Sequence, residues 1–247
     1  MNDEIIVNYV AGSCYNIEIG DYFLVFDYYN GILNVPDDKK TVFLASSKNE
    51  GHYSEEILKV SGMENFSYVL SSDIAYTKGD DNIIYLKDNK LSIENLKNLY
   101  KAKNVIFLEK DSTSKINKDI EIDTISYENK GMAFVVKTYD FTIFYGGDLF
   151  LTDIVLDRDN LISYLYEIYE TYDEIDLAFF PILKENREKN FKRAKDFIEI
   201  LNPQIFFPTN FNEDKKISEA FLNFQKFDET DIRPVGEKNT EFIIDLE

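Results

Sequence analysis

Apolar and polar positions along this chain fall into short runs that switch between a period of two and a period near 3.6. Residues 4–9, 15–19 and 22–27 carry strand patterns, and Gly20-Asp21 between the last two is a hairpin turn signal. Residues 41–45 end in the unbroken apolar run Val42 to Ala45, the pattern of a buried strand. Ser54-Glu55-Glu56 ahead of Ile57 and Leu58 reads as a capped start for a short helix over 54–61. Strands are expected at 67–70 and 82–86, divided by Lys78-Gly79-Asp80-Asp81. Helical spacing of Ile93, Leu96 and Leu99 follows, then strands at 104–108, 120–126, 132–138 and 141–145.

The second half alternates helix and strand. Leu161, Leu165, Ile168 and Tyr172 recur at helical spacing over 157–172, behind acidic residues suited to a helix N-terminus. Strand 175–180, helix 187–201, strand 204–208 and helix 214–225 follow, and Glu241-Phe242-Ile243-Ile244-Asp245 closes the chain as a strand. No Pro/Gly/Ser linker divides the sequence and no repeat of fixed period is visible. The pattern predicts one α/β domain over residues 1–247, built from two β/α halves.

Composition narrows the chemistry. The chain holds 46 acidic and 27 basic residues, a formal charge of −19, which opposes encounter with nucleic acid. The one cationic stretch, Lys184 to Lys195, alternates with acids. It is read as the solvated face of the helix whose apolar side is Phe191, Ala194, Phe197, Ile198 and Leu201, in preference to a phosphate-contacting patch. No run approaches the ~20 apolar residues of a membrane span, and no basic segment leads an apolar one, so a soluble cytoplasmic protein without membrane or nucleic-acid partners is expected. The lone Cys14 gives no disulfide framework and no Cys-rich zinc site.

Five segments resemble the metallo-β-lactamase superfamily, in family order. Gly12 to Ile19 followed by Phe23-Leu24-Val25-Phe26-Asp27 resembles the opening hairpin with an aspartate after its second strand. Thr41 to Tyr53 resembles the strand and turn that carry His-x-His-x-Asp-His. Phe141 to Leu149, with Gly146-Gly147-Asp148, resembles the strand ending in the metal-bridging Gly-Asp. Glu174 to Pro181 resembles a late core strand, and Asn202 to Phe211 the strand end that supplies the last histidine. The resemblance is closest to the small lactonase-like branch of bacterial metal-dependent hydrolases. It implies a four-layer αββα sandwich.

The same resemblance shows a degraded ligand set. Laid on the motif without gaps, the chain offers Ser47, Asn49, Gly51 and His52, and the last histidine is replaced by Asn210. His52 and Asp148 match. The seventh ligand falls near Tyr127, Glu128 or Asn129, of which Glu128 is able to coordinate. Zinc and its relatives need three or four strong donors, and Ser and Asn are weak ones. His52 is the only histidine of the chain, so no alternative His cluster exists.

The resemblance therefore implies a non-catalytic protein without a cofactor, its pocket lined by Ser47, Asn49, Gly51, His52, Asp148 and Asn210 and binding a small polar ligand or a protein partner. The alternative is a metal-dependent hydrolase with one weakly bound divalent ion on His52, Asp148 and Glu128, or a hard cation held by Asp148 with Glu50, Glu128 or Asp73. A metal-free enzyme on the old scaffold is the third class; the resemblance would bring Ser47, His52 and Asp148 into one pocket, but residue types in a pocket do not supply the geometry of a triad. Each residue also has a structural role open to it. His52 suits a ring hydrogen-bonded to backbone or Asp148, Asp148 a tight turn, Asn210 a cap on the following segment, Asp176 a loop hydrogen bonder, and Cys14 a small core residue.

Overall fold

The computed structural model of the chain describes residues 4–60, 66–74, 76–78, 84–86, 104–127, 130–147, 149, 158–211 and 213–244. The expected helical spacing at Ile93, Leu96 and Leu99 lies outside them, as do Asp148 and Glu128. The chain divides into two compact units, residues 1–110 with 238–247, and residues 111–237.

Among the described residues the first unit holds a seven-stranded mixed sheet. Its strands are β1 (Ile5–Ala11), β2 (Cys14–Ile19), β3 (Tyr22–Phe26), β4 (Lys40–Ala45), β5 (Ser67–Ser71), β8 (Asn104–Leu108) and β16 (Thr240–Ile244), in the order β16-β1-β2-β3-β4-β5-β8. A separate ribbon pairs β6 (Tyr76–Lys78) with β7 (Ile84–Leu86). The β2–β3 hairpin turns on Gly20 at φ 52°, where the absence of a Cβ makes the left-handed conformation cheap. Strands β3, β4, β5 and β8 run parallel. Every residue of β3 and β5, and all but the first of β4, is buried, which is why these strands read as continuous apolar runs without alternation. On one face Phe43 stacks on Tyr68 at 5.3 Å and meets Phe66 edge-on. Cys14, Val25, Ile57 and Leu58 belong to the same cluster.

Among the described residues the second unit is a seven-stranded mixed sheet with three helices. Strands β9 (Thr113–Lys115), β10 (Ile120–Tyr127), β11 (Lys130–Thr138) and β12 (Phe141–Tyr145) are antiparallel. Strands β13 (Leu177–Pro181), β14 (Ile205–Thr209) and β15 (Asp231–Ile232) continue from β12 in parallel. Helices α1 (Arg158–Thr171), α2 (Arg187–Leu201) and α3 (Lys215–Leu222) complete it. The apolar face expected for α2 is the buried one, and Phe197 packs between Phe180 at 4.5 Å and Phe144 at 4.9 Å. Among the described residues no helix is long and apolar enough to cross a membrane.

Three expectations are corrected. The capped start at Ser54 is present, its hydroxyl accepting from the Glu56 amide, but the element is a five-residue 3₁₀ helix, Glu55–Lys59, that ends when Val60 turns extended. Helix α3 stops at Leu222 instead of 225, because Asn223 caps it and Phe224 N–H turns back to the Phe221 carbonyl. Strands β9 and β15 were not expected; two or three residues at a sheet edge carry no readable period.

Asp176, expected as a loop-side hydrogen bonder, is buried immediately before β13. One oxygen accepts from the Thr142 amide at 2.7 Å, the other from Gln204 Nε2 at 3.0 Å. Burial pushes its carboxyl above the ordinary value, only partly opposed by the Thr142 amide. The folded protein therefore binds this proton more tightly than the unfolded chain. Its stabilising contribution is full below the unfolded pKa of about 3.9 and is lost as pH rises through the higher folded value. Asp176→Asn is expected to flatten this part of the stability profile, read as urea midpoints across the acidic range; an unchanged slope would show that Asp176 does not titrate there.

Candidate functional site

The turn expected to be chemically informative, Ser46 to Tyr53, leaves the end of β4 in the first unit. Asp27 follows β3 directly, and its backbone amide donates to the Leu44 carbonyl of β4 at 2.8 Å. That pairing places the Asp27 side chain under the turn. Asp27 takes φ 46°, a left-handed conformation that Asp tolerates better than most residues. Its carboxylate is fully buried. Oδ1 accepts from the Ser46 amide at 2.7 Å, and Oδ2 accepts from Ser46 Oγ at 2.7 Å and from His52 Nδ1 at 2.7 Å. The only imidazole of the chain is thus buried and oriented from below, with Nδ1 carrying the proton that faces the carboxylate.

The rest of the turn is held from other directions. Asp73, in the 3₁₀ turn Ser72–Ile74, accepts from the Lys48 amide at 3.2 Å and from Ser47 Oγ at 3.4 Å. Ser47 Oγ in turn accepts from the Asn49 amide at 3.2 Å, and the Asn49 carbonyl accepts from His52 N–H at 3.1 Å. Ser13 Oγ donates to the Gly51 carbonyl. Gly51 sits at φ 93° with nothing near its missing Cβ, so conformation and not space selects glycine there. The family aspartate at this position would carry backbone strain in this turn.

Sequence-predicted residues are therefore only partly assembled. Ser47, Asn49, Gly51 and His52 share one turn, with Ser47 and His52 buried and Asn49 exposed. Asn210 lies in the second unit, after β14, at φ 56°. It does not cap the helix that follows: Asp214 does, accepting from the Lys216 amide at 3.1 Å. Asp73, one of the alternative partners of Asp148 for a hard cation, holds the turn with its carboxylate. Glu50 is exposed beside Tyr29, whose phenol its charge and hydrogen bond hold above the ordinary value.

Among the described residues the geometry of a triad is not met. Ser47 bonds to Asp73, and the serine near the imidazole is Ser46, whose Oγ lies 3.3 Å from Nδ1. Hydroxyl and imidazole meet the same carboxylate oxygen, whereas a relay needs the imidazole between hydroxyl and carboxylate. Burial, and then the charge of Asp27, push the Cys14 thiol well up, which suits a core residue and not a nucleophile. Among the described residues no three His, Cys, Asp or Glu side chains are grouped to hold a metal ion.

Asp27 and Ser46 are what residue-by-residue reading missed. The aspartate after the second strand is a signal in the sequence, but its partners lie 19 and 25 residues away.

At the level of sequence, neither a family profile nor a curated protein matches the chain. Solved structures do. Igni18, a novel metallo hydrolase from the hyperthermophilic archaeon Ignicoccus hospitalis, matches over 99% of this chain and 100% of its own, with TM-score 0.64 and 13% identity. The chain has the metallo-β-lactamase fold. CmlA, a diiron β-hydroxylase from Streptomyces venezuelae, matches over 100% of the chain with TM-score 0.63 and 11% identity. The chain spans about half of CmlA, 55% of its length. The isothiocyanate hydrolase from Delia radicum gut bacteria matches over 97% of this chain and 100% of its own, with TM-score 0.54 and 8% identity. These structural likenesses show the fold alone.

The two sheets of this metallo-β-lactamase fold repeat one plan, an antiparallel set followed by a parallel one. In that plan Gly146 stands where Asp27 stands: each follows the strand that opens the parallel set, and Gly146 N–H donates to the Phe179 carbonyl at 2.8 Å. Two residues beyond Leu44 is Ser46, with an amide to satisfy; two beyond Phe179 is Pro181, with none. A Cβ at Gly146 would meet the Phe179 oxygen at 3.0 Å. A capping carboxylate is therefore required in one unit and has neither donor nor room in the other.

Proposed function

We propose that this chain is a non-catalytic binding protein on a metallo-β-lactamase fold, in which the former metal turn is a hydrogen-bonded scaffold presenting a surface to a small polar ligand or a protein partner. The observation that supports this is the commitment of His52 to Asp27. The only imidazole is buried and tied at Nδ1 to a carboxylate that also accepts two bonds from Ser46. Asp73 caps the same turn, and Ser47, Asn49 and Gly51 stand where the family has strong donors.

A second reading, a metal-dependent hydrolase using His52, Asp148 and Glu128, has the support of fold neighbours named as hydrolases. One experiment separates the two. Protein purified without chelator or nickel is assayed for metal by elemental analysis and then titrated with Zn²⁺, Mn²⁺ and Fe²⁺. The binding-protein reading expects substoichiometric metal, no uptake at micromolar concentrations, and a thermal midpoint unmoved by chelator, because a bound ion would stabilise the folded state by mass action. Near-stoichiometric metal that disappears in His52→Ala or Asp148→Ala would overturn it in favour of the hydrolase.

A further inference from the structure

We propose that the outward face of α1, in the second unit, binds a lysine- and arginine-rich segment of a protein partner. The helix buries Leu161, Leu165 and Ile168 and turns Tyr166 and Tyr169 to solvent, 52% and 46% exposed. Half-buried Ile162 lies one turn before Tyr166, so these three side chains form a ridge along the helix. Exposed Glu167, Glu170 and Asp173 flank the C-terminal half of that ridge.

The charge on this face is not offset within the second unit, and it stands at the unfavourable end of the helix. A surface helix commonly offsets its acids with cations one turn away. Helix α2 does so with Glu188–Lys192 and Lys195–Glu199, and α3 with Lys215–Glu219. Helix α1 contains no lysine, and its last turn carries no basic residue. Glu167 and Glu170, three residues apart, repel each other, and Glu170 and Asp173 stand at the negative pole of the helix, where cations and not acids stabilise. Among the described residues no cation pairs with the carboxylates of Glu167, Glu170 or Asp173.

The cations around the helix are committed or far along it. Arg158, in the first turn, forks onto Asp196 and also feels the charges of Asp159 and Glu199. Lys137 lies over the Tyr172 ring at 5.0 Å and pairs with Asp123 at 3.6 Å. Arg193 of α2 is half-buried and engaged as well. The other cations of α2 that line its groove with α1, Arg187, Lys189 and Lys192, do so beside Arg158 and Leu161. From Leu161 to Glu170 the axis of α1 runs roughly 13 Å at 1.5 Å per residue. That exceeds the screening length of about 8 Å at physiological salt. What offsets the acids is therefore a cation from outside. Carboxylates attract lysine and arginine by charge, and exposed tyrosine rings attract the same groups through their π faces. The ridge adds contact with the methylene stems of those side chains and supplies the tyrosine anchors typical of protein interfaces. Carboxylates and rings thus select one chemistry, and a net charge of −19 draws it from a distance.

The test is fluorescence anisotropy of a labelled synthetic amphipathic peptide of arginine, lysine and leucine, titrated with the full chain at low salt. Saturable binding with a Kd below about 100 μM is expected. Glu167→Gln with Glu170→Gln should weaken it by about tenfold or more, the equivalent of losing roughly 1.4 kcal/mol. Tyr166→Gln with Tyr169→Gln should weaken it by about fivefold or more. Glutamine is a good helix former, and circular dichroism checks that the fold is kept. The charge-matched control is Asp228→Asn with Glu229→Gln, two exposed acids of the same unit beyond α3, and should change affinity by no more than about twofold. No saturation at submillimolar protein, equal weakening in the control, or an unchanged affinity in the tyrosine variant each overturns the proposal. Spermine that displaces the peptide at equal charge concentration would assign the face to small polycations and overturn the protein partner. A lower urea midpoint in Glu167→Gln with Glu170→Gln would show that these acids stabilise the helix by themselves, and overturns it too. This face lies apart in sequence from the turn after β4, so the metal titration neither supports nor removes it.

Discussion

Asp27→Ala is expected to destabilise the protein by about 3–5 kcal/mol, the cost of removing one partner from a buried charged network. The carboxylate is fully buried and is the common acceptor for the Ser46 amide, the Ser46 hydroxyl and His52 Nδ1, all at 2.7 Å. Its loss leaves three donors buried, and alanine at φ 46° adds backbone strain that aspartate tolerates better. Asp27→Asn keeps an acceptor for the Ser46 amide and suits the left-handed conformation, so its loss should be roughly half or less of the alanine value. Urea denaturation of the two variants measures both. A loss below about 1 kcal/mol in Asp27→Ala would mean that the turn after β4 is not organised by this residue.

Phe197→Ala is expected to cost about 3–5 kcal/mol, the range for deleting a large buried aromatic. Phe197 is fully buried, with rings of Phe180 and Phe144 within 5 Å and that of Phe206 at 6.3 Å. These neighbours come from three adjacent strands and cannot all close on the space without breaking their register. Phe224→Ala supplies the comparison. That ring is 39% exposed beyond the end of α3 and touches Phe191 at 5.5 Å, so its loss should stay near about 1 kcal/mol. Equal midpoints for the two variants would show that helix α2 is not anchored through Phe197.

The contrast between these positions shows what a sequence can carry. Helix α2 was legible to the residue at both ends because its apolar positions recur at a single period and its length exceeds three turns. The β2–β3 hairpin was legible from Gly20-Asp21, and the cap at Ser54 from its hydroxyl and the following acids. Each is a local event in which the deciding contacts lie within a few residues. The 3₁₀ element at Glu55–Lys59 was read too long for the converse reason: Ile57 and Leu58 are buried by the sheet, and that burial, not propensity, sets its extent.

By itself the sequence determined the α/β class, the order of most elements and the single imidazole. These follow from residue identity and short-range periodicity. Only the tertiary structure decided which carboxylate holds His52, that Ser46 and not Ser47 stands beside it, and that Asp73 is a cap. It also decided that Gly146 occupies in one unit the place of Asp27 in the other. No fixed period exposes that equivalence, because it rests on strand pairing and on whether residue 46 or 181 has an N–H to satisfy. The physical reason is range: a buried carboxylate takes its donors from wherever the parallel strands bring them, and that distance along the chain leaves no periodic trace.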